Sequence, residues 1–274
     1  MNTLAAPSTF CYGANVHANN IRQHYLRYGG SGPALVLVPG ITSPAPTWGF
    51  VGERLGGHFD TYVLDVRGRG LSEASDALDY GVDACAQDVR AFIEALGLRD
   101  VVLLGHSMGA RIALRAAAGG GMPLARLLLV DPPVSGPGRR AYPSNIAWYR
   151  DSIALMQKGG DAERMRPFCP SWTQEQLQLR AEWLHTCDLR AVLESYEWFH
   201  TDDMFPDLPQ VQSVPTLVMA AARGEVILDE DLDQMRTLNP GLAMTRVEEA
   251  GHMIPWDNEE GFYRACSQFL GVTI

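Results

Sequence analysis

Short apolar segments alternate along most of the chain with segments whose apolar residues recur at helical spacing. An apolar run of about four to eight residues is typical of a buried strand, whereas apolar positions three and four residues apart are typical of a helix. Strands are predicted at residues 21–28, 34–38, 61–64, 101–104, 126–130, 215–220 and 244–247, and helices at 84–96, 110–118 and 261–270. This alternation predicts an α/β protein in which a mostly parallel sheet has helices on both faces.

The first predicted strand, residues 21–28, is followed directly by the segment Gly-Gly-Ser-Gly at residues 29–32. Glycine-rich segments of this length commonly turn the chain between two antiparallel strands, because glycine adopts backbone conformations that other residues avoid. We therefore expect residues 21–28 to belong to an early hairpin that is turned at residues 29–32.

The alternation stops between residues 132 and 209, where no strand pattern is present. This stretch contains helical segments with the aromatic residues Trp148, Tyr149, Trp172, Trp183, Tyr196, Trp198 and Phe199. We predict a core formed by residues 1–131 and 210–274, with residues 132–209 inserted after the sixth core strand as a helical cap. The aromatic side chains either pack the cap helices together or line a pocket beneath them.

The charge balance of the chain limits its partners. Its 274 residues include 22 basic and 32 acidic side chains, which give a formal net charge of −10. Such a balance argues against nucleic acid and against an anionic membrane surface as partners. It leaves a small anionic substrate open, because the local field of a pocket matters more to such a ligand than the net charge.

Cysteine usage and the N-terminal segment indicate the compartment. The cysteines are odd in number and lack the spacing of metal ligands: Cys11, Cys85, Cys169, Cys187 and Cys266. Neither a disulfide framework nor a metal site is therefore expected. Residues 1–10 lack the basic region and long apolar run of a signal peptide, and no apolar stretch approaches membrane-spanning length. We expect a cytoplasmic protein with no membrane partner.

A candidate nucleophile lies between a predicted strand and a predicted helix. Residues 105–109 read Gly-His-Ser-Met-Gly, and they connect the strand at 101–104 to the helix at 110–118. Strand, Gly-x-Ser-x-Gly and helix in this order form a nucleophile elbow, a sharp turn that exposes the serine hydroxyl above the sheet. The context makes Ser107 a predicted nucleophile rather than an ordinary loop serine.

A serine nucleophile needs a base, and His252 is the predicted one. It follows the last predicted strand and precedes the last predicted helix, so it belongs to a loop at the same sheet edge as Ser107. Its position after the serine is also the expected chain order. The alternative is a structural histidine.

The acid that orients the base is predicted to be Asp131, at the end of the strand at 126–130. The strand at 215–220 runs into the segment Ala-Ala-Arg-Gly-Glu at residues 221–225, which contains no aspartate. A carboxylate at position 131 is also able to reach the histidine ring and to fix its tautomer. Glu225 and Asp229 remain as alternatives.

Negative charge on the substrate oxygen requires preorganised donors. The backbone N–H of Met108, directly after the nucleophile, is one predicted donor. The second is expected from the loop after the strand at 34–38, where the sequence Pro-Gly-Ile at residues 39–41 makes the N–H of Ile41 the candidate. Trp48 ends the same loop and is a candidate wall of the pocket.

Three segments together make the chain resemble the α/β-hydrolase family over nearly its whole length. They are the Asp-x-Arg-Gly-x-Gly-x-Ser segment at residues 65–72, the elbow at 105–109 and the Gly-His-x-x-Pro segment at 251–255. The resemblance implies the α/β-hydrolase fold, the triad Ser107–His252–Asp131, and activity without a metal or an organic cofactor.

A narrower resemblance, to hydrolases of bacterial nicotinate catabolism within that family, extends into the predicted cap. It rests on residues 37–44, 62–72, 130–143 and 179–187. This resemblance implies that a linear amide C–N bond is cleaved, with N-formylmaleamate converted to maleamate and formate through a formyl-serine. A small anionic organic substrate is the partner that it implies, and the oligomeric state is left open.

The carboxylate of such a substrate needs a cation or a hydroxyl group in a dry pocket. The candidates in the predicted cap are Arg139, Arg140, Tyr142, Arg180 and His185. Each of them is alternatively a surface charge or a structural partner. Two other functions also remain open: an enol-lactonase or carboxylesterase acting on a small carboxylate-bearing substrate, and a ligand-binding receptor with vestigial hydrolysis.

Overall fold

An eight-stranded sheet forms the centre of the protein, in a computed structural model that describes residues 7–274. Residues 1–6, the first part of the segment in which we expect no signal peptide, lie outside the described residues. The strands are β1 (Phe10–Ala18), β2 (Ile21–Tyr28), β3 (Ala34–Val38), β4 (Asp60–Leu64), β5 (Val101–His106), β6 (Leu124–Val130), β7 (Thr216–Ala221) and β8 (Ala243–Val247). Their order is β1-β2-β4-β3-β5-β6-β7-β8. Only the pairs β1–β2 and β2–β4 are antiparallel.

Ten α-helices occur in the described part of the chain. They are α1 (Gly49–Gly56), α2 (Val82–Ala95), α3 (Met108–Ala118), α4 (Ile146–Gln157), α5 (Ala162–Met165), α6 (Gln174–Leu184), α7 (Leu189–Thr201), α8 (Asp229–Leu238), α9 (Ile254–Asp257) and α10 (Glu259–Leu270). Short 3₁₀ helices cover Ala45–Trp48, Arg166–Phe168 and Phe205–Val211. Within residues 7–274, none of the helices has both the length and the apolar character needed to cross a bilayer.

The early hairpin exists, but the predicted turn is wrong. β1 and β2 form it, and Asn19 and Asn20 turn the chain with φ angles of 52° and 60°. Asparagine tolerates this left-handed conformation, which suits a two-residue turn. Residues 29–32 lead instead from β2 to β3, which are not neighbours because β4 lies between them. Gly29 (φ 82°) is required there, since a Cβ would overlap the carbonyl oxygens of Gly56 and Phe59.

Alternate residues of the inner strands pack on opposite faces of the sheet. In β3, Val36 and Val38 pack in the same cluster as apolar residues of α2, α3 and α8. Leu35 and Leu37 pack with α1 and α10. The sheet is therefore covered by helices on both faces, and the carboxyl ends of its parallel strands form one edge where loops can meet.

The segment between β6 and β7 contains the helices α4 to α7. Buried apolar residues on these helices, including Ile153, Met165, Leu177 and Val192, belong to the same cluster as those of α2 and α3. The inserted helices therefore share a core with one face of the sheet. All five cysteines are free thiols, and Cys11 alone among them is exposed.

Candidate active site

Ser107 lies in the sharp turn between β5 and α3. Its φ of 55° and ψ of −118° are strained for a residue with a side chain, as expected in a nucleophile elbow. A Cβ at Gly105 would overlap the carbonyl of Gly109, and a Cβ at Gly109 would overlap the carbonyl of Val38. Both glycines are therefore required for β5, α3 and β3 to approach closely enough to hold the serine in this position.

His252 and Asp131 complete a hydrogen-bonded chain with the serine. The Nε2 atom of His252 lies 2.9 Å from the Oγ atom of Ser107, and Nδ1 lies 2.7 Å from an oxygen of Asp131. With a neutral imidazole, Nδ1–H donates to the carboxylate and Nε2 accepts from the serine hydroxyl. This arrangement allows His252 to take the serine proton while Asp131 stabilises the resulting imidazolium.

The carboxylate of Asp131 is fixed by the sheet beneath it. The side chain is fully buried, and its second oxygen accepts a hydrogen bond of 3.0 Å from the N–H of Ala221. The backbone N–H of Asp131 donates to the carbonyl of Met219, so β7 holds both ends of the residue. The position at the end of β6 therefore gives a carboxylate that faces the imidazole in one orientation.

The two alternative acids lie elsewhere. Asp229 is exposed at the start of α8, where it pairs with Arg246 at 2.6 Å. Glu225 is also exposed, and its backbone carbonyl accepts from Arg140. The structure brings neither of these carboxylates to His252.

His106, in the second position of the elbow, contacts His252, and the sequence analysis did not predict this contact. Its Nε2 atom lies 2.9 Å from the backbone carbonyl of His252, so Nε2–H donates to that carbonyl. Burial lowers the pKa of His106 to about 3, which keeps the ring neutral. Its ring packs 5.0 Å from the ring of His252 and 5.2 Å from that of Trp48. The only signal in the sequence is a histidine next to the nucleophile.

The loop after β3 brings Gly40 and Ile41 to the pocket that Ser107 also lines, and Met108 is the first residue of α3. Within residues 7–274, neither N–H donates to another protein group. Both therefore remain candidate donors to an oxygen atom of a ligand at Ser107. The carbonyl of Gly40, in the same peptide unit as the N–H of Ile41, accepts from the N–H of Ser43 at 3.2 Å. That hydrogen bond restrains the direction in which the N–H of Ile41 points.

Ser107 and His252 open into a pocket of about 420 Å³. This volume is typical of a site for a small organic molecule. Tyr142, Trp148, Tyr149, Phe168 and Trp172, which lie in the segment between β6 and β7, supply aromatic walls. Polar groups lie among them: Thr42, Ser43, Ser144, Asn145, Ser171 and Arg180. Within residues 7–274, no three His, Cys, Asp or Glu side chains are grouped so that they could hold a metal ion.

Arg180, on α6, is the buried cation of this pocket. Its guanidinium donates to the backbone carbonyl of Thr42 at 2.6 Å and to the hydroxyl of Thr42 at 2.7 Å. Within residues 7–274, no carboxylate lies within ion-pair distance of it, and burial lowers its pKa. Tyr149 lies nearby, and burial raises the pKa of its hydroxyl to about 12, so that it stays a neutral donor. The pocket thus contains a positive charge without an acidic partner.

The other predicted substrate-binding residues have different positions. Tyr142 lines the pocket, with its ring 5.3 Å from that of His252. Arg139 lies outside it, paired with Asp203 at 3.1 Å, and Arg140 lies outside it, paired with Asp231 at 2.9 Å. These two cations already have carboxylate partners.

Trp48 and His185 also lie outside the pocket. Trp48 is fully buried behind His106, with its ring 4.6 Å from that of Trp256. It therefore supports the wall formed by His106 rather than being part of the wall. His185 is exposed just after the last residue of α6.

The fold and the serine–histidine–aspartate arrangement are those of a hydrolase, and the chain belongs to the alpha/beta hydrolase family, whose family model matches residues 35–265. It is 60% identical over 263 residues to N-formylmaleamate deformylase of Pseudomonas putida, a match that covers 96% of this chain and 98% of that protein. The fold class predicted from the sequence is confirmed.

Solved structures of hydrolases also resemble the chain. The chain resembles a crystal structure of N-formylmaleamic acid deformylase from Pseudomonas putida, with a TM-score of 0.90 and 54% identity over 93% of this chain and 100% of that one. It also resembles an E-2-(acetamidomethylene)succinate hydrolase, with a TM-score of 0.78 and 22% identity over 96% of this chain and 100% of that one. An enol-lactonase from Burkholderia xenovorans matches with a TM-score of 0.75 and 19% identity over 94% of this chain and 100% of that one. At such identities, the last two show the fold alone.

Proposed function

We propose that the protein is a serine hydrolase that cleaves the N-formyl C–N bond of N-formylmaleamate and releases maleamate and formate. The observation that carries the proposal is the 60% identity to a deformylase of this substrate over almost the full length of both chains. The hydrogen-bonded chain from Ser107 to Asp131 supports it, because acyl transfer through a serine needs this order of groups.

In the first half of the reaction, Ser107 attacks the formyl carbon and its proton passes to Nε2 of His252. The N–H groups of Ile41 and Met108 stabilise the negative charge on the formyl oxygen. The imidazolium of His252 then gives its proton to the departing nitrogen as the C–N bond breaks. Maleamate leaves, and the formyl group remains as an ester on Ser107.

In the second half, a water molecule gives a proton to His252 and its oxygen attacks the formyl ester. The tetrahedral intermediate collapses as its bond to the oxygen of Ser107 breaks, and the proton held by His252 passes to that oxygen. Formic acid leaves as formate and a proton. The substrate suits this chemistry, because the nitrogen lone pair is shared between two carbonyl groups. That sharing weakens the amide character of the C–N bond and makes the departing amide a better leaving group than an amine.

The segment from residue 132 to 209 is proposed to act as a cap over the active site, with residues 1–131 and 210–274 forming the catalytic core. Aromatic residues of this segment line the pocket above Ser107. A cap of this kind excludes bulk water from the oxyanion and strengthens its hydrogen bonds.

Arg180 is proposed to bind the carboxylate of the substrate. A buried guanidinium without an acidic partner is costly, and an anionic ligand offsets that cost by supplying the missing charge. Two of its donors are used by Thr42, and the guanidinium carbon lies 5.4 Å from the centre of the Trp148 ring. The charge and the flat aromatic surface together suit a small planar anion.

We expect Arg180→Met to raise KM for N-formylmaleamate by about ten- to hundredfold, because a hydrogen bond to a charged group contributes roughly 1.5–3 kcal/mol. Turnover of the neutral ester p-nitrophenyl acetate is expected to change much less. Steady-state kinetics on the two substrates give the comparison. Arg139→Met is the control, since Arg139 pairs with Asp203 outside the pocket, and its KM is expected to stay within about twofold of the wild-type value. An equal loss on both substrates would show that Arg180 acts through Thr42 and not through the carboxylate.

The function itself is tested by incubating the purified protein with N-formylmaleamate and measuring formate, with p-nitrophenyl acetate as a generic ester. We expect rapid formate release that clearly exceeds the ester rate. Ester turnover without formate release would indicate that the substrate is a lactone or an ester instead. A stable covalent adduct with little turnover of either substrate would indicate a ligand-binding receptor.

A further inference from the structure

Arg69 lies in the turn after β4 and is 1% exposed. Its Nε–H donates to the carbonyl of Ile41 at 3.0 Å, and one Nη donates to the carbonyl of Arg67 at 2.9 Å. The other Nη donates to the hydroxyl of Ser195 at 2.8 Å and to the carbonyl of Ala191 at 3.2 Å, both on α7. One side chain thus connects the loop after β3 to a helix of the inserted segment.

The charge of Arg69 is not neutralised by a neighbouring carboxylate. Within residues 7–274, no Asp or Glu lies within ion-pair distance, and every oxygen that accepts from it is a backbone carbonyl or a hydroxyl. Burial lowers the pKa of the guanidinium, yet arginine remains protonated at any working pH. An uncompensated buried cation is costly, and a packed apolar side chain would avoid that cost.

The location of this charge relates it to the reaction. Arg69 contacts the two residues whose N–H groups are the proposed oxyanion donors: Nε–H binds the carbonyl of Ile41, and an Nη lies 3.7 Å from the sulfur of Met108. The guanidinium therefore contacts both residues that supply the proposed oxyanion donors.

Arg69 also completes the restraint of the loop after β3. Three successive carbonyls of this loop accept hydrogen bonds: Gly40 from the N–H of Ser43, Ile41 from Arg69, and Thr42 from Arg180. The N–H of Ile41 lies between the first two of these anchored carbonyls. Its direction is therefore fixed on both sides, as a preorganised oxyanion donor requires.

We propose that Arg69 is a positioning residue of the oxyanion hole, which anchors the carbonyl of Ile41 and places a permanent positive charge against the two residues that supply the donors. This inference rests on the proposed serine mechanism, but it is independent of the substrate. It distinguishes Arg69 from Arg180, which is proposed to bind the substrate itself.

The test uses phenylboronic acid, whose boron accepts an electron pair from the oxygen of Ser107 while the serine proton passes to His252. The resulting tetrahedral adduct carries one negative charge, formally on boron, and places a boronate oxygen in the oxyanion hole. Its Kd is measured by calorimetry for the wild type, Arg69→Met and Arg69→Lys, and the melting temperature of each variant is recorded. Arg111→Met is the matched control, because Arg111 is also 1% exposed and its guanidinium also donates to a backbone carbonyl of α7, that of Phe199, yet it donates to neither Ile41 nor Met108.

We expect Arg69→Met to weaken boronate binding and to lower kcat for formate release, each by about ten- to hundredfold, with KM unchanged. Arg69→Lys keeps the charge but loses the rigid fork of donors, so about a three- to tenfold loss is expected. If Arg69→Met does not fold, the Kd and kcat of Arg69→Lys decide the test. Arg111→Met is expected to lower the melting temperature while boronate binding stays within about threefold of the wild-type value.

Wild-type boronate affinity in a folded Arg69 variant would overturn the proposal, as would an equal loss in Arg111→Met. Wild-type protein that does not bind phenylboronic acid through Ser107 would instead contradict the serine mechanism. The two failures are therefore distinguishable.

Discussion

Replacing Ser107 by alanine is expected to reduce formate release by about 10³- to 10⁶-fold, because the reaction then has no nucleophile. The residual rate reflects binding and the oxyanion donors alone. The substitution removes one hydroxyl from a residue whose backbone is held by β5 and α3, so the melting temperature is expected to change by only a few degrees. Formate release and thermal unfolding of the same preparation give the measurement.

A second serine in the chain provides a matched control. Ser72 is buried close to another histidine–aspartate pair, His24 and Asp65, whose Nδ1 and carboxylate oxygen lie 2.7 Å apart. Its hydroxyl, however, donates to the backbone carbonyl of Asp65 and accepts from the backbone N–H of His24. We expect Ser72→Ala to lower stability by about 1 kcal/mol per lost bond and to leave kcat nearly unchanged. Near wild-type formate release by Ser107→Ala would end the elbow interpretation.

The core strands were predictable because parallel strands buried on both faces are continuous apolar runs. Val101 to Leu104 and Leu127 to Val130 are such runs, and each became the centre of an inner strand. β1 was not predicted, since four of its first five residues are exposed and it lies at the sheet edge. α8 was missed for a related reason: its first turn is acidic, and only two of its apolar residues, Leu232 and Met235, are buried.

The meeting of Ser107, His252 and Asp131 was also predictable, because each follows a strand at the same sheet edge. A position directly after a strand can be recognised from the neighbouring residues alone. The hydrogen bond from His106 to the carbonyl of His252 is not local, because it spans 146 residues. No pattern around residue 106 distinguishes it from a structural histidine.

Which of the candidate arginines lines the pocket could not be predicted from the sequence for the same reason. Arg139, Arg140 and Arg180 differ only in their partners, which lie 64, 91 and 138 residues away along the chain. Two of those partners are carboxylates, and the third is the carbonyl of Thr42 in the loop after β3. The fold therefore neutralises two of these cations and leaves the third facing the pocket.

Asp131→Asn is expected to lower kcat for formate release by about 10⁴-fold while the fold is kept. Asparagine tolerates the positive φ of 46° at this position, and its oxygen can still accept from the N–H of Ala221. The amide that replaces the carboxylate no longer fixes the tautomer with hydrogen on Nδ1, nor does it stabilise the imidazolium of His252. Steady-state kinetics and a melting curve on the same sample measure the two effects.

Asp229→Asn is the control for the choice of acid. Its carboxylate is exposed and pairs with Arg246, so we expect activity within about twofold of the wild type. The opposite pattern, an active Asp131→Asn and an inactive Asp229→Asn, would place the acid after β7. If both variants lost activity and their melting temperatures fell equally, the lower kcat would reflect lost stability and not a lost catalytic group. The geometry of the carboxylate argues for an inactive Asp131→Asn and an active Asp229→Asn. Asp131 is fully buried, and one of its oxygens already lies 2.7 Å from Nδ1 of His252 before substrate arrives.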